Sequence, residues 1–189
     1  MPSPPLITTS RLVLRLADHS DVPALLRFYR ENIAHLAPTS PLLPPDFLTE
    51  AFWLQQLARN NDDFDQGRAV KLFLFDKSEP ATVVGQISLN NIVRGAAYYC
   101  DLGYSLGEDR QGQGLMSESV LAIIRYAFDE MGLHRMKAAY LPSNERSGRL
   151  QRRLGFVVEG YARDYLLIQG QWQDHVLVGL VNLDWRPPG

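Results

Sequence analysis

The chain has 189 residues, of which 46% are hydrophobic and 21% charged, a composition typical of one globular domain with a substantial core. Its formal net charge of -2 provides no chain-wide positive field for nucleic acid or an anionic membrane, so we expect neither as a direct partner. The single cysteine excludes an internal disulfide and gives no indication of a metal cluster. No signal peptide or membrane-length apolar run is recognisable, which predicts a cytoplasmic protein.

The first half of the chain predicts one strand, two helices and three more strands. RLVLRL (11–16) alternates its side chains as a strand with one buried face does. Ser20 or Asp18 can cap a helix that runs to about Asn32, and a loop containing four prolines separates it from a second helix over 46–59. Three sequential antiparallel strands follow, over 70–76, 82–93 and 98–106.

The second half predicts an amphipathic helix that ends near Gly132, and then a strand over 135–141. A short basic helix over 143–156 follows, and two strands, 157–168 and 174–183, are joined by the turn QGQWQ. The order β α α β β β α β α β β predicts an α+β fold, with a mixed, mostly antiparallel sheet of about seven strands flanked by helices.

The segment DRQGQGLMSESV (109–120) joins a strand to a helix through two glycines one residue apart. Glycines at such a junction let the backbone approach a ligand, and the free N–H groups of a helix's first turn can hold an anion. The same glycines suit a tight turn without any ligand. The pattern alone therefore leaves both interpretations open.

Two motifs and the order of the elements together resemble the GNAT superfamily of acyl-CoA-dependent N-acetyltransferases. The motifs are Q-x-x-G-x-M, from Gln111 to Met116, and N-x-x-S-x6-L-G-F, from Asn144 to Phe156. The run GYARDYLLIQGQWQDHVL is similar to the RimJ/RimL class of ribosomal-protein N-terminal acetyltransferases, nearer to its RimJ branch. The resemblance covers nearly the whole chain and implies a single GNAT domain over residues 1–189, with residues 1–7 flexible.

The resemblance implies acetyl-CoA as cosubstrate, no metal, and a sheet that splays between its fourth and fifth strands. The pantetheine arm would lie in that gap and pair with the backbone of Ser105 and Leu106. Asn144 and Ser147 would lie beside the pantetheine and the sulfur, although Asn144 also suits a helix cap. The residues implied to contact the pyrophosphate through their backbone are Gln111, Gly112, Gln113, Gly114, Leu115, Met116 and Ser117.

The resemblance also implies direct attack of an amine on the thioester, without an acyl-enzyme. Ser147 is the candidate donor to the departing sulfur, and backbone N–H groups near Ser105 and Leu106 are candidates for the oxyanion. Asp101 stands where many GNAT enzymes have a glutamate and is the candidate general base. A solvated carboxylate without a catalytic role is the alternative.

Other polar residues near the motifs have less specific interpretations. Glu118, in the first turns of a helix, favours the helix dipole and is interpreted as structural. Cys100 is interpreted as packing material, because its neighbour on a strand faces the opposite side of the sheet. Asp164 and Asp174 could hold a cationic N-terminus or be ordinary surface carboxylates.

The resemblance points to acetylation of the N-terminal α-amine of a protein, with the fifth protein of the small ribosomal subunit, or the ribosome itself, as partner. An enzyme for small amines such as polyamines, amino-sugars or an antibiotic is the alternative, and it would have a closed pocket where a peptide needs an open cleft. A ribosome assembly factor with a residual CoA site is a third possibility. Both a monomer and a dimer are compatible with the sequence.

Overall fold

The computed structural model describes residues 4–187, whose strands form one eight-stranded sheet with helices on both faces. The strand order is β1-β2-β3-β4-β5-β6-β8-β7. The elements are β1 (Leu6–Thr8), β2 (Leu12–Arg15), α1 (Val22–Leu36), α2 (Glu50–Asp65), β3 (Val70–Asp76), β4 (Val83–Val93), β5 (Tyr99–Leu106), α3 (Leu115–Arg125), β6 (Arg135–Tyr140), α4 (Glu145–Arg153), β7 (Val157–Ile168) and β8 (Gln171–Val181). The predicted α+β fold and order of elements are confirmed, with one additional strand at the start.

That additional strand, β1, lies partly within the segment expected to be flexible. It pairs antiparallel with β2, from Leu6 opposite Arg15 to Thr8 opposite Val13. Thr9 closes the turn between them, because its backbone N–H donates to the Leu12 carbonyl at 2.9 Å. Residues 1–3 of the same segment lie outside the described residues. A strand of three residues is too short to display an alternating pattern.

The first two helices begin at polar caps and extend further than predicted. Asp18 caps a short 3₁₀ turn that leads into α1, and α1 continues to Leu36 rather than Asn32. Thr49 caps α2, since its hydroxyl accepts from the N–H of Phe52 at 3.2 Å. The second helix therefore spans Glu50–Asp65 instead of 46–59.

The last two strands form a hairpin with a turn of two residues, shorter than the predicted QGQWQ. Gln169 and Gly170 have φ angles of 47° and 77° and lie between the paired residues Ile168 and Gln171. Two successive positive φ angles are typical of the mirror-image turn whose twist matches that of paired strands. β8 therefore begins three residues earlier than predicted, with Gln171, Trp172 and Gln173.

Side chains on β3 alternate between two separate hydrophobic cores. Leu72 and Leu74 belong to the core between the sheet and α3. Phe73 and Phe75 belong to the core beneath α1 and α2. Because every second side chain of a strand faces the same way, the sheet is covered on both sides, and β3 is hydrophobic on both faces from Leu72 to Phe75.

The sheet splays between β5 and β6, its one parallel pair within residues 4–187. The paired residues run only from Tyr99 opposite Arg135 to Asp101 opposite Lys137. Beyond Asp101, β5 remains paired with β4 and β6 remains paired with β8. A gap therefore opens along Leu102–Leu106, where the resemblance implied the splay. None of the helices in the described part of the chain is long and apolar enough to cross a membrane.

Candidate active site

The glycine turn between β5 and α3 has the backbone conformation and the free space of an anion site. Gly112 and Gly114 have φ angles of 75° and 79°, a region that glycine enters without strain. A Cβ atom added to Gly112 would meet no other atom within 4 Å. The side chains of Leu115 and Met116 are buried in the core, so the first turn of α3 presents its backbone to the outside. Free N–H groups at a helix start favour an anion.

Three arginine side chains surround this turn. Arg11 Nη1 donates to the Gln113 carbonyl at 2.8 Å, Arg153 Nη2 donates to the Ser117 hydroxyl at 2.5 Å, and the guanidinium of Arg146 bonds to a side-chain oxygen. That oxygen is Oε1 of Gln111. Among the described residues, Arg146 and Arg153 make no ion pair with a carboxylate. Uncompensated guanidinium groups around exposed N–H groups fit a phosphate-bearing ligand.

Glu118 ties α3 to the start of β2. Its carboxylate accepts from the backbone N–H of Arg11 at 2.8 Å and pairs with the guanidinium of the same residue at 2.8 Å. Partial burial acts to raise the pKa of Glu118, but hydrogen bonds from Thr9 and Arg11 outweigh it and lower the pKa to about 2. The role is structural, and it fixes Arg11 beside the glycine turn.

The end of α1 holds the same turn from the other side. Gln111 Nε2 lies 2.6 Å from His35 Nε2, and the side-chain oxygen of Asn32 accepts from the N–H of Glu108 at 2.8 Å. Asn32 is buried, and its amide donates to the Phe28 carbonyl within the helix. The turn is thus fixed in position before any ligand binds.

The backbone groups that face the gap are those of Tyr104 and Leu106. Gly107 lies opposite Val84 and donates to its carbonyl at 2.9 Å, so this pair is hydrogen-bonded across the ladder. Hydrogen-bonded and non-hydrogen-bonded pairs alternate along antiparallel strands. The N–H and C=O groups of Ser105 therefore face β4, whereas those of Tyr104 and Leu106 face away from it. The backbone groups free to pair with a ligand in the gap are thus those of Tyr104 and Leu106, and the pantetheine pairing expected of Ser105 and Leu106 stays a prediction.

Ser147 lies in the first turn of α4, beside the splayed strands. Asn144 caps the helix, since its side-chain oxygen accepts from the Ser147 N–H at 3.1 Å. The Ser147 hydroxyl lies 2.8 Å from the phenol oxygen of Tyr104 on β5. A Cβ atom added to Gly148 would lie 2.8 Å from the ring of Tyr140 on β6, so the helix packs closely against that strand. Ser147 is therefore located between the two strands that diverge.

Asp101 lies at the closed end of the gap, and both of its carboxylate oxygens have partners. One accepts from the amide of Asn91 at 2.8 Å, and the other pairs with Lys137 Nζ at 3.2 Å. Ser105, four residues along the same face of the strand, is about 13 Å away at the usual rise per residue. The general-base role of Asp101 stays a prediction.

The remaining candidates are a cysteine and two carboxylates. Cys100 is fully buried, and burial raises the pKa of its thiol to about 12, in agreement with a packing role. Asp174 accepts from the backbone N–H of Asp164 at 2.9 Å and from the Tyr161 hydroxyl at 2.8 Å. Those bonds lower the pKa of Asp174. A contact of Asp164 and Asp174 with an N-terminus stays a prediction.

An aromatic cavity of about 260 Å³ lies on the other face of the sheet, between α1, α2 and β3–β5. Its walls include the rings of Tyr29, Phe47, Trp53 and Phe73. The indole N–H of Trp53 and the hydroxyl of Ser105 are buried there without a hydrogen-bond partner. Buried polar groups are usually paired, so two free ones in one cavity indicate a place for a polar ligand atom.

The lining of the cavity is nearly uncharged. It includes no aspartate or glutamate, and its one ammonium group, on Lys71, pairs with Asp63 at 3.3 Å. The loop that follows α1 covers one side, and Gln169 of the hairpin turn donates to the Ser40 carbonyl at 3.1 Å. Within residues 4–187, no three His, Cys, Asp or Glu side chains group as a metal site would require.

The comparisons with known proteins agree with this geometry. The acetyltransferase (GNAT) domain model matches residues 11–157. Ribosomal protein uS5-alanine N-acetyltransferase from Escherichia coli K12 is 44% identical over 181 residues, 96% of this chain and 93% of that protein. Ribosomal-protein-S5-alanine acetyltransferase from Vibrio fischeri has a TM-score of 0.91 at 35% identity, over 97% and 100% of the two chains. Mycobacterium smegmatis RimJ in complex with CoA-disulfide has a TM-score of 0.85 at 25% identity, over 95% and 86%.

A glycine turn with free N–H groups beside a splayed parallel strand pair defines an acyl-CoA-dependent N-acetyltransferase. The chain belongs to the GNAT acetyltransferase family, as the motifs predicted. The relatives also confirm the resemblance to the RimJ/RimL class.

Proposed function

We propose that this enzyme transfers the acetyl group of acetyl-CoA to the N-terminal α-amine of a ribosomal protein, and that the acceptor is the N-terminal alanine of uS5. Two relatives named for that activity each match more than nine-tenths of the chain. On this proposal the whole chain acts as one GNAT domain, in the cytoplasm, with a ribosomal protein as its partner.

The donor fits the glycine turn and the gap. The N–H groups of Gly112–Ser117, with the guanidinium groups of Arg11, Arg146 and Arg153, would hold the pyrophosphate, whereas the N–H of Gln111 already donates to the Glu108 carbonyl at 3.2 Å. The backbone of Leu106 would pair with the pantetheine arm as an added strand does. When bound, acetyl-CoA supplies an acetyl thioester and leaves as a thiol. The chain's own contribution is to hold both ends of this long molecule against fixed elements.

The leaving group fits the first turn of α4. Ser147 would donate its hydroxyl proton toward the departing sulfur, where negative charge develops. Asn144 serves this role by capping the helix, because its bond to the Ser147 N–H fixes the turn that carries the hydroxyl. The amine attacks directly, and since an α-amine is partly neutral at pH 7.5, little base strength is required.

The observation that carries the choice of acceptor is the uncharged lining of the aromatic cavity. A polyamine or aminoglycoside presents several cations, and burying them requires carboxylates that this lining lacks. An N-terminal alanine presents one amine, one methyl group and a peptide carbonyl. The free N–H of Trp53 and hydroxyl of Ser105 suit such a carbonyl. The volume of about 260 Å³ suits one or two residues and is smaller than most drug-sized pockets.

The test is acetyl-CoA turnover with three acceptors: a peptide with the N-terminal sequence of uS5, spermidine, and an aminoglycoside. We expect kcat/KM for the peptide to exceed that for either small amine by at least ~100-fold, which is about 2.7 kcal/mol and corresponds to two neutral hydrogen bonds of about 1.4 kcal/mol each. Turnover of spermidine or the aminoglycoside alone would favour the small-molecule alternative. Tight CoA binding without turnover of any acceptor would favour the assembly factor.

A further inference from the structure

A partly buried polar cluster connects β5 with α4 directly at Ser147. The Tyr104 phenol oxygen lies 2.8 Å from the Ser147 hydroxyl. Gln151, one turn further along α4, has its amide nitrogen 3.2 Å from the Tyr104 oxygen and 3.4 Å from the Ser147 oxygen. Gln151 is 1% exposed, so water cannot replace these two hydrogen-bond partners of its amide. Three polar side chains thus meet where the sheet splays.

The relative acidity of the two hydroxyls decides the direction of the bond between them. Their oxygens lie only 2.8 Å apart on the same side of the Gln151 amide nitrogen, so one N–H of that amide is shared between them. The two hydroxyls then share one bond, in which either could donate. A phenol is the stronger donor because it is far more acidic than an aliphatic alcohol. Tyr104 therefore donates to Ser147, and the proton of Ser147 is free to point away from both neighbours.

The surroundings of Tyr104 keep it in this donor state. Burial raises the pKa of its phenol, and the bonds to Ser147 and Gln151 only partly oppose that shift. A thiol titrates near 8.5, below an ordinary phenol at about 10, so full transfer of the Tyr104 proton to a thiolate is unfavourable. The cluster therefore orients a hydrogen bond and does not relay a proton.

We propose that Tyr104 and Gln151 are positioning residues that turn the Ser147 hydroxyl proton toward the sulfur of departing CoA. The inference rests on the role proposed above for Ser147. In the transition state, negative charge grows on the sulfur as the carbon–sulfur bond breaks. A donor already aimed at that position stabilises the charge without reorganising, whereas a freely rotating serine must first be ordered.

The test is a double-mutant cycle with Tyr104→Phe and Ser147→Ala, read in two ways. The first readout is kcat with a saturating uS5 N-terminal peptide. The second is the affinity ratio of CoA to desulfo-CoA, measured by calorimetry at pH 9.5, where the thiol is largely ionised. Tyr126→Phe is the matched control, because Tyr126 is a buried tyrosine on the same face of the sheet, at the end of α3, and should change neither readout.

We expect Tyr104→Phe to lower both kcat and the affinity ratio of CoA to desulfo-CoA by about tenfold. This is part of the ~100-fold loss expected when a correctly oriented hydrogen-bond donor is removed. In the Ser147→Ala background, removing the phenol should change either readout by less than about twofold, because nothing is left to position. Gln151→Met has a side chain of similar volume but no amide protons. It should lower both readouts by a smaller factor than Tyr104→Phe does. Thermal unfolding of each variant confirms that it is folded.

Three results would overturn the inference, and they separate it from the proposed function. If the two substitutions multiply their effects, Tyr104 acts independently of Ser147. If Tyr104→Phe changes neither readout while Ser147→Ala changes both, Ser147 needs no positioning. If Ser147→Ala changes neither readout, the role proposed for Ser147 is lost and this inference with it, while peptide acetylation can still stand.

Discussion

Replacing Gly148 by alanine is expected to damage catalysis by moving α4 without touching any reacting group. The added Cβ would lie 2.8 Å from one ring carbon of Tyr140 and 2.9 Å from the next. Carbon atoms prefer separations of about 3.5–4.0 Å, so either the half-buried Tyr140 ring turns aside or the helix moves by roughly 0.7 Å. If the helix moves and takes Ser147 away from β5 by that distance, the bond between Ser147 and Tyr104 lengthens from 2.8 Å to about 3.5 Å, beyond hydrogen-bond range.

Two magnitudes follow from this displacement. Overpacking a close contact costs about 1–3 kcal/mol, and for a chain of this length each kcal/mol lowers the melting temperature by roughly 2–4 °C. We therefore expect Gly148→Ala to melt roughly 2–12 °C lower than the parent. A misplacement near 1 Å can cost about 10²-fold in rate, so kcat should fall roughly tenfold to a hundredfold.

Calorimetric melting and steady-state kinetics measure both effects. Gly160→Ala is the matched control, because a Cβ there meets no atom within 4 Å and the backbone is outside the left-handed region. The control should retain full activity and the same or slightly higher stability. A folded Gly148→Ala enzyme with the parent's kcat and melting temperature would refute the argument that packing of α4 on Tyr140 positions Ser147.

Three further predictions concern the rest of the site. Gly114→Glu should abolish CoA binding in calorimetry while the protein stays folded, and undiminished affinity would remove the glycine turn from the site. Glu118→Gln should lower the melting temperature by roughly 3–8 °C at pH 7, because hydrogen bonds to an ionised group are lost. Because the pKa of Glu118 is lowered in the folded protein, its ionised carboxylate stabilises the fold at pH values above the ordinary pKa of a glutamate. This stabilisation is lost as the pH falls toward about 2, so the parent and Glu118→Gln should have the same melting temperature there. In Asp101→Asn, kcat/KM should still fall as the pH is lowered, because protonation of the substrate's α-amine causes that fall. Loss of this pH dependence in the variant would establish Asp101 as the base.

The sequence was sufficient for the glycine turn and for the order of elements after the short strand β1. The strand-forming runs over 70–76 and 82–93 and the glycines at 112 and 114 are local signals, and the strands and the turn lie where those signals occur. The family motifs located α4 and its cap in the same way. Such features depend on neighbours along the chain, which a sequence displays directly.

The parts of the site that were missed depend on residues far apart in sequence. Arg11 reaches the carbonyl of Gln113 across 102 positions, and Tyr104 meets Ser147 across 43. Alternation indicates which face of β5 carries Tyr104, but not which helix residue covers it. Whether the backbone of Ser105 faces the gap depends on which cross-strand pairs are hydrogen-bonded, and a register known only to within one residue cannot decide that.

The central claim is that the acceptor is a protein N-terminus, and paired peptides test it most directly. One peptide has a free N-terminal alanine; the other has the same sequence with a blocked N-terminus and an internal lysine. At pH 7.5 roughly a quarter to two-fifths of an α-amine is neutral, against about one part in a thousand of a lysine, so a site with little base strength should favour the first. Mass spectrometry after incubation with acetyl-CoA should find acetylation at the alanine amine and at least ~100-fold slower reaction at the lysine. Equal or faster acetylation of the blocked lysine peptide would contradict the account.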